Sequence, residues 1–233
     1  ETRVDVKLST PVSATDLQGF DEVVLATGIT PRKVALPGAD HAKVVSYVDV
    51  LSGRVEVGAR AALIGAGGIG FDVAEYLTHE GHSPSLDPAR WMAEWGVDPT
   101  FEARGSLVKP QPEPPAREVW LLQRSAGKPG ARLGKTSGWV HRATLKAKQV
   151  AMLGGVEYLG VDDAGLRIKV DGAEQLLPVD HVVVCAGQEP RRDLQADLIA
   201  AGKTPHLIGG ADVAAELDAK RAIDQGSRLA ASL

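Results

Sequence analysis

The sequence predicts an α/β fold in which helices cover a mostly parallel sheet. Residues 20–28, 60–65 and 179–187 are apolar runs that end in glycine, as buried parallel strands do. The second run passes through a glycine turn into an amphipathic helical pattern over residues 68–78. Residues 23–32 and 182–191 share an apolar run followed by Gly-x-x-Pro-Arg, which indicates two similar strand exits.

The residues on either side of the first apolar run, and a later proline-rich stretch, depart from this pattern. Residues 4–8 alternate and predict a strand, whereas residues 30–40 contain two prolines and a glycine and predict a linker. Half of the 14 prolines fall within residues 82–116, which we interpret as an inserted surface excursion. It carries one short predicted helix, with Asp87 as N-cap, Pro88 as its first residue and Gly96 at its end.

Regular structure is predicted again after the excursion. Residues 118–123 predict a strand, and residues 135–152 have a mostly helical pattern that closes at a Gly-Gly pair. Short strands are predicted over residues 156–159, 166–170, 174–177 and 206–208. Asp218 predicts the N-cap of a terminal helix, with Ala222, Ile223 and Leu229 on its core side.

The glycine turn has the spacing of a dinucleotide-binding motif, G-x-G-x-x-G between a strand and a helix. Gly65 would form the tight turn, Gly67 would let the backbone approach a pyrophosphate, and Gly70 would let the helix pack closely on the strand. The start of the helix would supply free N–H groups to the phosphates. This indicates a doubly wound, Rossmann-like domain, with predicted contacts at Gly65, Ala66, Gly67, Gly68, Ile69, Gly70, Ala186 and Gly187.

The residue that reads the adenosine ribose decides between NAD and NADP. Counting about 20 residues from the turn reaches Asp87, but that residue is better explained as a helix cap. If residues 82–116 are an insertion, the second strand ends instead at Gln123 and then Arg124, without a carboxylate. An arginine favours a 2′-phosphate through charge-assisted hydrogen bonds, so the sequence favours NADPH. Lys128, Arg132 and Lys135 have open roles, either at the nucleotide or in a solvated basic loop, and Trp139 either packs or approaches the nucleotide.

Composition excludes several other classes of function. The net charge of −4 gives no basic surface for nucleic acid, and no apolar run is long enough for a membrane span. Cys185 is the single cysteine, which excludes an internal redox disulfide or a multi-cysteine metal site in this chain. The histidines do not form a metal-binding set. We expect a cytoplasmic protein, and the absence of an initial Met indicates a fragment or a processed product.

The chain closely resembles the C-terminal part of bacterial NADPH-dependent 2,4-dienoyl-CoA reductases, relatives of trimethylamine dehydrogenase and old yellow enzyme. The resemblance covers essentially the whole chain and is carried by GAGGIGFD, LLQR, KPGARLGKTSGWVHR, CAGQEPR and HLIGGADVAAELDAKRAI in that order. It implies electron flow from NADPH to FAD, then through a [4Fe–4S] cluster to FMN in an N-terminal barrel that is absent here. The dienoyl-reducing acid belongs to that barrel, so no catalytic residue is named.

The same resemblance implies where FAD would bind and how the chain is divided. Arg124, with Ser125 beside it, is implied at the 2′-phosphate of NADP. FAD contacts are implied at Val12, Thr27, Gly28, Ala211, Asp212, Asp218, Ala219 and Lys220. Residues 1–34 and 203–233 would form an incomplete FAD-binding domain, and residues 35–202 an inserted NADP-binding domain. A non-catalytic nucleotide-binding or regulatory module remains the alternative, whereas a disulfide reductase would need a second cysteine.

Overall fold

The computed structural model describes residues 3–81, 83–215 and 218–233. The chain forms two compact units, Lys33–Gly187 and the pair of segments Glu1–Arg32 and Gln188–Leu233. The first boundary lies close to the predicted one after residue 34, but the second precedes the predicted one after residue 202. The physical reason is that strand Gln188–Pro190 pairs antiparallel with Ile29–Pro31, so that residues 188–202 belong with Glu1–Arg32. The segments Glu1–Arg32 and Gln188–Leu233 are called the outer segments below.

The unit Lys33–Gly187 is built on a five-stranded parallel sheet, which confirms the α/β prediction. Successive residues of its central strand alternate between two apolar clusters: Ala61 and Leu63 lie in one, and Ala62 and Ile64 in the other. Because both faces are covered, the strands are continuous apolar runs. The strands, in order across the sheet, are Val44–Ser46, His181–Val184, Arg60–Ile64, Glu118–Leu122 and Ala151–Leu153.

Different layers cover the two faces of this sheet. Helices Gly68–Thr78 and Gly138–Ala147 contribute Phe71 and Leu145 to the first cluster, and the short helix Tyr47–Leu51 contributes Val50. A three-stranded antiparallel sheet contributes Leu166 and Ile168 to the second cluster. Its strands, Glu157–Asp162, Gly165–Val170 and Ala173–Leu177, confirm the three short strands predicted there.

The helical prediction over residues 135–152 was too long. The helix ends at Ala147, and Ala151–Leu153 is the edge strand beside Glu118–Leu122. Gln149 lies between them with a φ of 59°, a left-handed conformation that ends helical geometry. The prediction was too long because apolar residues at the helix end and in the short strand together resemble one helical pattern.

The proline-rich excursion contains the predicted helix, Pro88–Trp95. The Asp87 carboxylate accepts a hydrogen bond from the Arg90 N–H, and Gly96 ends the helix in the left-handed conformation at φ 68°. Both caps are therefore confirmed. Single 3-10 turns lie at Pro84–Leu86 and Arg104–Ser106, while His82, the predicted start of the excursion, lies outside the described residues.

The other unit has little sheet and a small core. Strand Val24–Leu25 pairs parallel with His206–Leu207, and Val23, Leu25 and Leu198 form the buried cluster. The predicted strand over residues 4–8 is absent, since those residues are exposed and have no strand partner among the described residues. Within the predicted run 20–28, only two residues are paired. The remaining elements are the 3-10 turns Thr15–Leu17 and Gly209–Ala211 and the helices Gln195–Ala200 and Ala219–Ser232.

The terminal helix starts where predicted but presents a different face. Asp218 caps it by accepting from the Arg221 N–H at 2.7 Å. Ile223 is 67% exposed and Ala222 is also exposed, which corrects their predicted core positions, whereas Leu229 is half-buried. The helix turns the face that carries Gln225 toward the unit, where the Gln225 side chain accepts a hydrogen bond from the Gly209 N–H.

Candidate dinucleotide sites

The protein itself requires two of the three glycines in the motif. Gly65 has a φ of +114°, and a Cβ there would lie 2.9 Å from the Ala186 Cα. A Cβ on Gly70 would lie 1.8 Å from the Gly65 carbonyl oxygen. These contacts place Ala186 against the turn, with Gly187 next along the chain, and press the helix against the strand.

Gly67 has no such structural reason to be glycine. Its φ of −88° and ψ of −170° suit any residue, and a Cβ there would meet nothing within 4 Å. It lines an open cleft of about 320 Å³ and is the N-cap of Gly68–Thr78, yet it has no side chain to cap the helix. A close-lying phosphate ligand accounts for both features, because it needs bare backbone and free N–H groups. The site therefore fits a dinucleotide pyrophosphate.

The facing wall of this cleft is the loop that follows strand Glu118–Leu122. That strand lies beside Arg60–Ile64 in parallel register, which confirms it as the second strand after the excursion. Ser125, Lys128 and Arg132 line the cleft together with Ala66 and Gly67. The loop thus adds two cations and a hydroxyl next to the start of the helix.

Arg124 and two further residues lie outside the lining of this cleft. The Arg124 side chain is exposed. Burial raises the Tyr158 pKa to about 12, and the positive charge of Arg124 offsets part of that rise. Lys135 is exposed. Trp139 is 59% exposed and lies edge-on to Trp95, with ring centroids 6.5 Å apart. Ile69, by contrast, packs on the apolar cluster under the helix.

Cys185 lies beside the glycine turn but has no sign of reactivity. The residue is 7% exposed, and burial raises the pKa of its thiol to about 12. At neutral pH it therefore stays protonated and is a poor nucleophile. As the chain has one cysteine, it cannot form a redox disulfide within itself.

The other unit brings three of the predicted FAD contacts together around one turn. A Cβ on Gly210 would lie 3.0 Å from the Gly28 carbonyl carbon, so Gly28 abuts the turn Gly209–Ala211. Asp212 follows this turn directly, and Arg192 binds the carbonyl oxygens of both Ala211 and Asp212. The sequence does not predict this role of Arg192, because its contacts join residues about 20 positions apart and leave no local pattern.

The remaining predicted FAD contacts occupy two other places in the same unit. Val12 and Thr27 line a groove of about 600 Å³, and the Thr27 hydroxyl donates to the Arg191 carbonyl oxygen. Asp218 caps the terminal helix, while Ala219 and Lys220 are exposed in its first turn. The same helix carries Gln225, whose side-chain Nε2 donates to the Asp212 carboxylate.

Neither a metal-binding cluster nor a membrane-spanning helix is present in the part of the chain that the structure describes. There, no three His, Cys, Asp or Glu residues are grouped so that they could hold a metal ion. No helix among residues 3–81, 83–215 and 218–233 has the length and apolar character to cross a membrane.

A parallel sheet with a glycine turn, in a chain of two units, is typical of a two-dinucleotide flavoprotein fold. Residues 2–210 match the model of the Pyridine nucleotide-disulphide oxidoreductase family, and the chain belongs to this family. Members of this family bind FAD and a nicotinamide nucleotide and act as oxidoreductases.

Individual relatives are larger proteins that are named as reductases. A metal reductase of Desulforamulus reducens is 26% identical over 200 residues, which cover 86% of this chain and 29% of that protein. A cinnamate reductase of Clostridium sporogenes is 41% identical over 85 residues, 36% of this chain and 12% of that protein. The structure of a 2-naphthoyl-CoA reductase in complex with 2-naphthoyl-CoA superposes with a TM-score of 0.66 at 22% identity, covering 94% of this chain and 28% of that one. The chain thus spans less than a third of each.

Proposed function

We propose that this chain is the NADPH-to-FAD hydride-transfer module of a 2,4-dienoyl-CoA reductase-like flavoprotein. The unit Lys33–Gly187 binds NADPH, and the outer segments hold FAD. The observation that carries the proposal is Gly67, a glycine that lines an open cleft and that no contact or backbone angle of the protein requires. Its surroundings match the needs of a phosphate-bearing dinucleotide.

The preference for NADPH rests on the charges around the cleft. Backbone N–H groups at Gly68 and the next residues would bind the pyrophosphate. Lys128 and Arg132 line the cleft, and no carboxylate is among the described residues that do so. A carboxylate there would repel a 2′-phosphate, whereas these cations attract one. Arg124 and Ser125, at the strand end, remain the proposed direct contacts of the 2′-phosphate.

The chain's own residues bind and orient rather than transfer protons. Bound NADPH and FAD would supply the hydride donor and acceptor, so the chain would have to position the two rings and would need no acid or base for this step. The buried, protonated Cys185 takes no part. In the whole protein we propose that electrons continue through a [4Fe–4S] cluster to FMN in a barrel domain, where a dienoyl-CoA is reduced during fatty-acid degradation.

Two relatives support this substrate class. One is named for reducing cinnamate, an unsaturated carboxylic acid, and another binds the acyl-CoA 2-naphthoyl-CoA. Both ligands pair an unsaturated carbon system with a carboxyl group or its thioester, as a dienoyl-CoA does. They therefore favour an unsaturated acyl-CoA as the final electron acceptor.

Calorimetric titration with NADPH and NADH tests the nucleotide preference. Arg124→Ala should weaken NADPH binding about tenfold or more, the value of a lost charge-assisted hydrogen bond, and leave NADH binding unchanged. Arg60→Ala is the matched control, because Arg60 begins the strand that ends at Ile64, about 13 Å away. Equal binding of NADH and NADPH by the unmodified protein would contradict the proposal.

A further inference from the structure

We propose that Gln225 is a positioning residue of the flavin site, which holds the Asp212 carboxylate ready to accept from a hydroxyl of the flavin's ribityl chain. The inference rests on the proposed function, because it assumes that FAD binds this unit. It concerns a residue that the motifs of the sequence do not include and that lies 13 positions beyond Asp212.

Both ends of the Gln225 side chain are engaged. Its Oε1 accepts from the Gly209 N–H at 2.7 Å, and its Nε2 donates to Asp212 Oδ2 at 2.7 Å. The two partners need opposite roles, since an N–H only donates and a carboxylate only accepts. The orientation of the amide is therefore determined, and a glutamate or an apolar residue could not make both bonds at neutral pH.

Other contacts hold the backbone of the turn and leave the carboxylate to Gln225. Arg192 Nε donates to the Ala211 carbonyl oxygen at 2.6 Å, and its Nη2 donates to that of Asp212. A Cβ on Gly210 would lie 2.8 Å from Ile29 Cγ2, so the turn has no room to shift in that direction. Within the described part of the chain, Gln225 is the side chain that binds the Asp212 carboxylate.

The second carboxylate oxygen determines the class of ligand. Asp212 Oδ1 accepts no hydrogen bond from the residues that the structure describes, and the residue is half-buried. An ionised carboxylate accepts hydrogen bonds and repels phosphate, so this oxygen suits a neutral hydroxyl donor. A polyhydroxylated chain such as ribityl supplies such a donor, and the bond from Gln225 to Oδ2 holds the carboxylate while Oδ1 stays available to accept.

A double-mutant cycle on FAD affinity tests this role. The variants are Gln225→Glu, Asp212→Asn and the pair, each measured in the intact protein by titration of flavin fluorescence at pH 8. Gln225→Glu keeps the acceptor for Gly209 but puts a second carboxylate against Asp212, and should weaken FAD binding about tenfold or more. In the Asp212→Asn background the same change should cost at most about twofold, because the amide introduced at position 212 can donate to the carboxylate introduced at position 225.

A pH series adds a readout that a purely structural role would not change. Lowering the pH from 8 to about 5.5 should partly restore FAD binding by Gln225→Glu, since a carboxyl beside another carboxylate gains a proton more readily and then donates again. Gln225→Met cannot donate at any pH and should show only the pH dependence of the unmodified protein.

The outcomes separate this inference from the proposed function. Additive effects in the cycle, or FAD affinity of Gln225→Glu within about twofold of the unmodified protein at pH 8, would overturn the role of Gln225. If the unmodified protein itself does not bind FAD, the proposed function fails first. Non-additivity together with rescue at low pH is the result that we expect.

Discussion

At the scale of single residues, the three motif glycines are present for different reasons. Gly65 and Gly70 meet protein atoms that a Cβ would overlap, whereas Gly67 meets none. A spacing pattern treats them alike, and only the structure separates the two that the fold needs from Gly67, whose proposed role is to let a ligand approach. The distinction can be tested by adding the same methyl group at two of these positions.

Gly67→Ala and Gly70→Ala should affect different properties, nucleotide binding and fold stability respectively. The first places a methyl group in the open cleft, so it should weaken NADPH binding about tenfold or more while the melting temperature stays unchanged. The second forces the helix away from the Gly65 carbonyl and should destabilise the fold by about 1–3 kcal/mol. Thermal unfolding and calorimetric titration on the same samples measure both. Unchanged NADPH affinity in Gly67→Ala would show that the cleft is not the pyrophosphate site.

The sequence located the residues of the glycine turn but not those that support Asp212. The turn is a local pattern in which strand, glycines and helix follow one another. Arg192 and Gln225 reach the turn Gly209–Ala211 from elements on either side of it along the chain. No spacing rule predicts such contacts, because they depend on how the elements pack.

At the scale of elements, helices with clear caps were predicted best. Helices Gly68–Thr78 and Pro88–Trp95 have glycine, Asp and Pro signals at their ends, which act through neighbouring backbone groups. The failures were an expected strand over residues 4–8 and the edge strand Ala151–Leu153, whose existence depends on a partner strand. Pairing is a property of the assembled sheet, which the sequence does not state locally.

The cap of the excursion helix should be worth a measurable amount of stability. Replacing Asp87 by Ala removes the acceptor for the Arg90 N–H and should lower the free energy of unfolding by about 1 kcal/mol. Asp87→Asn keeps a capping oxygen and serves as the control. Denaturant unfolding measures both variants, and equal losses in the two would assign the effect to charge rather than to capping.

Acid should loosen the loop that follows this helix. Hydrogen bonds from the Thr100 hydroxyl, and then from the Ala103 and Thr100 N–H groups, lower the Asp98 pKa from 3.8 to about 2. Because the folded pKa is depressed, this stabilisation is complete above about pH 4 and is lost as the pH falls through about 2. Hydrogen exchange of residues 97–107 should rise over that window.

Asp98→Asn is the matched variant for that experiment. It cannot ionise, so the extra exchange of the loop should be present already at pH 5 and should change less between pH 4 and pH 2. The same steep pH response in the variant would show that another carboxyl group causes the acid effect.

At the scale of the whole molecule, one unit is inserted in the sequence of the other. The unit Lys33–Gly187 is continuous, whereas its companion is assembled from both ends of the chain. The insertion was predicted from the resemblance with its second boundary after residue 202 rather than 187, because the pairing of residues 188–190 with 29–31 is long-range. Local composition has no signal for such a return.

The continuous unit should fold and bind its nucleotide alone. Residues 33–187 contain the five-stranded sheet, both of its covering layers and every residue that lines the 320 Å³ cleft. We expect this segment to unfold cooperatively and to bind NADPH within about threefold of the intact protein, by calorimetry. A segment that folds but does not bind NADPH would place the nucleotide elsewhere.

The central claim is that electrons pass from NADPH to FAD on this protein, and anaerobic reduction of the flavin tests it most directly. The protein is mixed with stoichiometric FAD, and its flavin absorbance is followed after addition of NADPH or NADH. We expect NADPH to bleach the flavin faster than NADH does and faster than in a sample without protein. Flavin that binds and stays oxidised with NADPH would contradict the claim and favour a non-catalytic nucleotide-binding module.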